Sequence, residues 1–351
     1  MQPLPKKILV IRLSAIGDVV RTIPSVLALR GIFPQATIHW LVEDRCAEII
    51  TGLEGVDGLK LAPRRAWNKL KGLERFRAML AFGRELKAEG YDLVVDFHGV
   101  AKSGFMAFLS RSPQRVGYPK GIAKEGAHLA LTERVPMVPG KLSRYDRNFL
   151  LPRHFDPTVA EPSPRLPIGE GDRAMARAFM GAKGLAPKGF AFLYPGTSKV
   201  GAYKRWPAEH FGRLADLVLE RTGLPAVIGW GPGEEEMVER LVQAARHPVH
   251  VLPLTSMKEM AAVLEQARLY IGGDTGPLHI ASLLGTPAVA IYGPSDPVLN
   301  EPWRQTPFRI VRTGIACSPC RNRKCNHLSC LSLLEPERAL EAVEDLLGER
   351  A

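Results

Sequence analysis

The chain has no apolar run approaching the roughly 20 residues that cross a bilayer, so no transmembrane segment is expected. Its opening residues, MQPLPKKILVIRLSAIGD, bring two lysines but no adequate apolar core and no small-residue cleavage site, which argues against a secretion signal. "KILVIRL" reads as a buried strand, and the cytosol is the expected location. Aromatic residues are scarce, at 7%, and they do not alternate with basic ones as on single-strand nucleic-acid platforms. Neither G-x-G-x-x-G after a strand nor G-x-x-x-x-G-K-[ST] occurs, which disfavours a nicotinamide-dependent oxidoreductase and excludes a conventional P-loop. Acidic residues are in deficit: 36 Asp and Glu stand against 47 Lys and Arg, for a net charge of +11. Such a surface suits an acidic partner, whether nucleic acid, an anionic membrane or a phosphorylated substrate. Without the aromatic platform, nucleic acid is not the expected one.

What is present is a strand–helix alternation, run through twice. The first round holds "KILVIRL", "TIHWLVED" and "YDLVVDFHG" as strands. "VVRTIPSVLALRGIF" and "RFRAMLAFGRELKAEG" are its helical stretches, the latter ended by Gly90. The second holds "GFAFLYPGTS", "LPAVIGWGP", "VHVLPL", "RLYIGGDTG" and "PAVAIYGPSD", with helical stretches such as "AEHFGRLADLVLERTG" and "MKEMAAVLEQA" between them. Continuous apolar strands alternating with helices predict α/β domains with parallel sheets covered on both faces. A stretch at 156–171 rich in proline separates the rounds. The expected organisation is a first doubly wound domain over 1–160, a linker over 161–171, a second over 172–334 and a terminal helix over 335–351. The cleft between the two domains is the default site.

Polar small residues follow the strands, where open α/β sheets bind ligands. Gly17 and Asp18 sit between the first strand and first helix; Asp18 reads either as a helix N-cap or as a general base. "YPGTSKVGAYKRWP" offers the hydroxyls of Thr197 and Ser198 with Lys199 and Lys204, a set suited to a diphosphate and equally to a solvated polar turn. Glu234, Glu235 and Glu236 open a helix, favourable for its dipole alone or as acceptors for ribose hydroxyls. In "YIGGDTGPLHIASLLG", Pro277 marks a helix start, and N–H groups near Thr275 and Gly276 can hold a phosphate. Asp274 would repel that phosphate but could accept from sugar hydroxyls, so the loop suits a ligand joining the two, such as a nucleotide sugar. His279 reads as a core or capping residue. No two aspartates are separated by one residue, so the D-x-D pair with which one class of glycosyltransferases holds a divalent ion is missing.

Cys317, Cys320, Cys325 and Cys330 form C-x2-C-x4-C-x4-C, with His327 among them. Structural zinc, reduced or partly paired thiols, and an iron–sulfur cluster are the readings this spacing allows. "RRAWNKLKGLERFR" is strongly basic with an apolar stripe. It reads as a solvated face over core, or as a surface for an anionic lipid or phosphorylated acceptor.

Taken together, "LSAIGDVVRTIPSVLALR", "YPGTSKVGAYKRWP", "GGDTGPLHIASLLGTPAVAIYGPSDP" and the late cysteines resemble the ADP-heptose:lipopolysaccharide heptosyltransferases, glycosyltransferase family 9. "VDFHGVAKSGF" and the basic "RRAWNKLKG" resemble its heptosyltransferase I branch. The resemblance implies a GT-B fold, two Rossmann-like doubly wound domains facing a central cleft. It implies inverting, metal-independent transfer of L-glycero-D-manno-heptose from ADP-heptose to the Kdo of lipid A–inner core, with no cofactor required for catalysis. The enzyme would be peripheral at the cytoplasmic face of the inner membrane. Asp18 then matches the base and Lys204 the lysine on the ADP phosphates. Gly17, Thr197, Ser198, Leu254, Thr255, Asp274, Thr275, Gly276 and one of Glu234, Glu235 and Glu236 fall on the donor, and Arg64, Lys69, Lys71 and Lys102 on the acceptor. The other readings are a family 9 transferase for another core heptose or sugar and, from a different class, a basic zinc-carrying nucleic-acid-binding protein.

Overall fold

The computed structural model describes residues 4–320 and 322–348. Two compact units divide at Pro167 and Ile168, inside the proline-rich stretch. In the N-terminal unit, β1 (Lys7–Ile11), β2 (Thr37–Glu43), β3 (Gly58–Ala62), β4 (Leu93–Asp96), β5 (Gln114–Gly117) and β6 (Glu133–Arg134) form one sheet. Its order is β3-β2-β1-β4-β5-β6, and every pairing is parallel. Ile8, Leu9, Val10 and Ile11 of β1 are all fully buried, as a central strand covered on both faces requires. The helices are α1 (Ile16–Val20), α2 (Ile23–Ile32), α3 (Arg64–Lys69), α4 (Gly72–Ala88), α5 (Ala101–Leu109) and α6 (Arg144–Phe155).

The stretch read as one helix, "VVRTIPSVLALRGIF", is two. Pro24, which has no N–H to continue a preceding helix, sits in the first turn of α2 and separates it from α1. Strands β3, β5 and β6 were not expected from the sequence. They are short or polar, and β6 has only two residues, too few for a readable alternation.

The C-terminal unit repeats the plan. Its strands are β7 (Ala191–Tyr194), β8 (Ala226–Ile228), β9 (His250–Val251), β10 (Leu269–Gly273), β11 (Ala288–Ile291) and β12 (Phe308–Val311). They lie parallel in the order β12-β11-β10-β7-β8-β9. Its helices are α7 (Glu170–Lys183), α8 (Ala208–Thr222), α9 (Glu235–Ala244), α10 (Met257–Gln266), α11 (Gly276–Leu283), α12 (Ser329–Ser332) and α13 (Pro336–Gly348). Along β7, Ala191 and Leu193 enter a core shared with Phe211 and Leu214 of α8 and Val343 and Leu346 of α13. Phe192, between them, points the other way and stacks on Tyr270 at 6.4 Å. Alternate residues thus bury both faces of the sheet.

Glu170 and Gly171, expected in the linker, already belong to α7, whose Asp172 accepts from the Gly169 N–H at 2.8 Å. α13 packs against α8 and β12, so the expected terminal helix is a wall of the second core. Residues 1–3 and 349–351 lie outside the described residues. Among the described residues, no helix is long and apolar enough to cross a membrane.

Candidate active site

In an open parallel sheet, ligands settle where the winding reverses, outside the carboxyl ends of the two strands that flank the reversal. In the N-terminal unit those strands are the neighbours β1 and β4. In the C-terminal unit they are β7 and β10. The loop after β1 leads to Gly17 and Asp18, and the loop after β4 carries His98. The loop after β7 carries Thr197 and Ser198, and the one after β10 carries Asp274 and Thr275. The main sequence candidates therefore fall at the two reversal points, one group in each unit.

Asp18 lies within α1 and does not cap it; Ala15 is the N-cap residue, and no side chain caps that end. Its carboxylate instead meets three guanidinium groups: Arg21 at 2.6 Å, Arg12 at 2.8 Å and Arg144 at 3.6 Å. Burial alone would raise this carboxyl, but Arg12, Arg21 and Arg144 outweigh it and hold it well below the usual carboxylate range. Asp18 is thus ionised at neutral pH, while its side chain is still 24% exposed and open to a ligand. The cage was only partly readable. Arg21 is one helical turn from Asp18 and could have been inferred from that spacing; Arg144, from the start of α6, has no local signal.

Next to this cage, His98 Nδ1 accepts from the Leu13 N–H at 3.2 Å, which leaves the ring proton on Nε2. Burial, then Arg12 and Lys102, push the His98 imidazolium down to about 3, so the ring is neutral. Its loop is shaped by Asp96, which accepts from the His98 N–H at 2.8 Å and from Ser103 Oγ at 2.8 Å. Buried Glu43, at the end of β2, gathers Lys102, Arg45 and, at 3.9 Å, Arg64. Two of the four basic acceptor candidates, Arg64 and Lys102, are therefore brought together. Lys69 and Lys71 are exposed on and after α3, outside that group.

The cage has a measurable consequence. Arg144→Gln removes one cation while the burial that opposes the Asp18 charge remains. The acid limb of the kcat/KM profile is expected to move to higher pH. An unchanged limb would show that Arg144 contributes nothing to the depression.

In the C-terminal unit, Lys204 Nζ donates to the Asp274 carbonyl oxygen at 2.7 Å and to Oδ2 at 3.2 Å. Ser295 Oγ donates to the same Oδ2 at 2.8 Å, and His279 Nε2 lies 3.7 Å from Oδ1. Thr275 is the N-cap of α11, whose first residue is Gly276, and Pro277 falls in the first turn. A lysine, a carboxylate and a helix N-terminus thus converge. Lys199 is exposed, near Gly233, and takes no part.

The neighbouring turn is fixed by residues that the sequence did not mark. Arg205 donates to Thr197 Oγ1 at 3.0 Å and to its carbonyl oxygen at 2.7 Å, and approaches Glu234 at 3.8 Å. Glu234 also accepts from the Gly231 N–H at 2.8 Å and from the Tyr194 hydroxyl at 3.3 Å, and its burial raises its pKa. A Cβ on Gly196 would lie 2.0 Å from Glu234 Oε2, so only glycine allows this approach. Of the acids, Glu234 joins the Thr197 turn. Glu235 is exposed and accepts from the nearby Gly233 N–H, at 3.3 Å. Ser198 is exposed beside buried Thr197, and Leu254 and Thr255 lie in the loop after β9, with Leu254 exposed. A cavity of about 380 Å³ is lined by Arg205, Glu234, Met237 and Leu328, and by neither Lys204 nor Asp274.

The four late cysteines are free thiols: Cys317 and Cys320 exposed, Cys325 partly buried, Cys330 buried. Among the described residues, no three His, Cys, Asp or Glu side chains stand close enough to hold a metal ion. Cys330 is drawn into the core while Cys317 and Cys320 face out, and the spacing's three readings, zinc among them, stay open. The cysteine loop buttresses the donor candidates. Cys320 N donates to the Pro294 carbonyl at 3.2 Å and Ser318 Oγ to that of Gly293 at 2.6 Å, directly before Ser295.

Residues 79–330 match the family model "Glycosyltransferase family 9 (heptosyltransferase)". The chain is 28% identical to lipopolysaccharide heptosyltransferase 1 of Escherichia coli K12 over 295 residues, covering 84% of this chain and 89% of that protein. Among solved structures, E. coli heptosyltransferase WaaC with ADP matches with a TM-score of 0.72 at 26% identity, covering 98% of this chain and 100% of the other. A family 9 glycosyltransferase from Veillonella parvula, at 23% identity, matches with a TM-score of 0.83 over 98% of each chain and speaks for the fold alone. The two doubly wound units, the matched family model and these relatives agree: the chain is a GT-B enzyme that belongs to glycosyltransferase family 9, the heptosyltransferases.

Proposed function

We propose that this enzyme transfers L-glycero-D-manno-heptose from ADP-heptose to the Kdo of the lipopolysaccharide inner core. The C-terminal unit takes the donor and the N-terminal unit the acceptor, at the cytoplasmic face of the inner membrane. The observation that carries this reading is the Lys204–Asp274 pair at the start of α11. It supplies positive charge and backbone donors for a diphosphate beside a carboxylate for sugar hydroxyls. The names of the relatives support a heptose donor linked to ADP and a lipopolysaccharide acceptor: one is a lipopolysaccharide heptosyltransferase, and one solved WaaC structure holds ADP-2-deoxy-2-fluoro heptose.

On this reading the acceptor hydroxyl oxygen attacks the anomeric carbon, and the bond from that carbon to the β-phosphate oxygen breaks. The electron pair leaves with ADP, and Asp18 takes the hydroxyl proton. A carboxylate held so far down is a weak base for a neutral alcohol. Transfer of the proton is therefore late, after the forming bond has made the hydroxyl acidic. That order suits an oxocarbenium-like transition state in which departure leads. Lys204 and the N–H groups of Thr275 and Gly276 stabilise the departing phosphate. Thr197 and Ser198 line the phosphates, Glu234 takes the ribose in preference to Glu235, and Leu254 and Thr255 border the nucleoside. Gly17 lets the backbone approach the sugar. Arg64, Lys69, Lys71 and Lys102 meet the acidic acceptor. No divalent ion or other cofactor enters the scheme, and the cysteine loop has a supporting role.

The test is ADP release from ADP-heptose, with and without Kdo₂-lipid A, in the presence of EDTA. Acceptor-dependent release that survives EDTA is expected. Release that EDTA abolishes would overturn the metal-free scheme. Tight ADP binding without transfer would overturn the acceptor or the sugar and leave the donor site standing.

A further inference from the structure

Helix α4 is poorly covered for a helix in an α/β unit: of its 17 residues only Gly83 and Leu86 are buried. At 3.6 residues per turn, Leu73, Phe76 and Leu80 share one face with Arg77, Arg84 and Lys87. Both acids of the helix, Glu74 and Glu85, project from another side. Leu73 is 61% exposed and Phe76 49%, and Leu80, a turn further on, is partly buried. The patch continues onto α5. Phe105 stacks on Phe76 at 6.1 Å, and one turn later Phe108 is 42% exposed beneath the Arg111 guanidinium, 4.4 Å from its ring centre.

Its place in the fold matters. β3 and β4 run parallel to β1, so α3 and α4 after β3, and α5 after β4, begin at the same carboxyl edge as the Asp18 loop. Leu73 and Phe76 lie in the first two turns of α4. Large exposed side chains ringed by cations of one sign fit the boundary of an anionic bilayer. There, apolar groups enter the acyl region and arginines meet headgroup phosphates. A protein partner of ordinary composition would call for charges of both signs.

We infer that the Leu73–Phe76–Leu80 face of α4, with Phe108 and the surrounding arginines, is the surface by which this enzyme seats on an anionic membrane. The inference rests on the proposed use of a lipid-linked acceptor and adds where the lipid surface is met. Seating here sets the Asp18 edge of the sheet against the headgroups, so the acceptor sugar is reached without leaving the bilayer.

The experiment is co-sedimentation of the full chain with vesicles of phosphatidylethanolamine and phosphatidylglycerol, against vesicles of phosphatidylcholine. The wild type is expected to bind the anionic vesicles, less so at high salt. The double variant Leu73→Glu/Phe76→Glu is expected to bind them about tenfold more weakly or worse. Its transfer to a de-acylated, water-soluble acceptor should be unchanged, which also shows that it folds. Arg77→Glu, which leaves the apolar residues in place, should lose binding mainly at low salt. Equal binding by wild type and double variant, or none by wild type, would overturn the inference. So would a dimer in sedimentation equilibrium that the double variant dissolves, which would assign the face to a second copy. Failure of wild type on every acceptor would instead overturn the proposed function, and the vesicle result would stand apart from it.

Discussion

Asp18→Asn is expected to lower turnover by roughly 10²–10⁴-fold, the usual weight of a general base, and to leave ADP affinity unchanged. Asparagine keeps the shape of the side chain, and its carbonyl oxygen can still accept from Arg21, but it cannot take the acceptor's proton. ADP affinity should not respond because Asp18 belongs to the N-terminal unit, whereas Lys204 and Asp274 belong to the other. The substitution also strips the countercharge from Arg12 and Arg21, both nearly buried. A lower melting temperature should therefore accompany the loss of rate, and turnover must be measured well below it. A loss of turnover under threefold would remove Asp18 from the role of base. A parallel loss of ADP affinity would mean that the variant had disturbed more than the proton acceptor.

The second large effect is on donor binding. Lys204→Ala should weaken ADP binding by roughly 10–100-fold, the range for a hydrogen bond to a charged group. Two things change together. The ammonium no longer meets the diphosphate, and Asp274 loses the cation that stands 3.2 Å from its carboxylate. An arriving phosphate would then face a less neutralised acid. Lys204→Arg should recover part of the affinity, and Lys199→Ala should change it less than about twofold, the usual limit for an exposed, unengaged charge. Calorimetry with ADP reads all three. Normal affinity in Lys204→Ala with a loss in Lys199→Ala would exchange the two assignments.

Much of the site was readable because its signals are local. A glycine and an acid directly after a strand mark Asp18, and a proline two residues after Thr275 marks the start of α11. The strongest strands, such as β1 and β10, were readable because both their faces are buried and, Lys7 at the start of β1 aside, their sequences hold no charged residue. What escaped depends on distance along the chain. Arg144 reaches Asp18 from α6, and Ser295 reaches Asp274 from beyond β11. Nothing in the sequence near either aspartate announces them. The choice between Lys199 and Lys204 was open for the same reason: both follow the same turn, and only the fold shows which one meets Asp274. Likewise, Glu234 differs from Glu235 because it precedes the helix and turns inward to Tyr194 and Gly231, whereas Glu235 lies in the first turn and faces out. The cysteines show the same limit: their close spacing brings the four thiols into one region, but not their burial, with Cys330 in the core and Cys317 and Cys320 exposed.

The wall that α13 forms also sets an order on biosynthesis. A ribosome delivers β1 to β6 with their helices before any strand of the second sheet, so the first unit can close while the rest is still being made. The second unit has no such liberty. α8 emerges early, but the side that packs on α13 stays bare until Pro336 to Gly348 have been added. A nascent chain halted just before Pro336 would hold a finished first unit and a second with an uncovered apolar helix. That interval is when a chaperone would have most to hold, and when a truncated product would be most prone to aggregate.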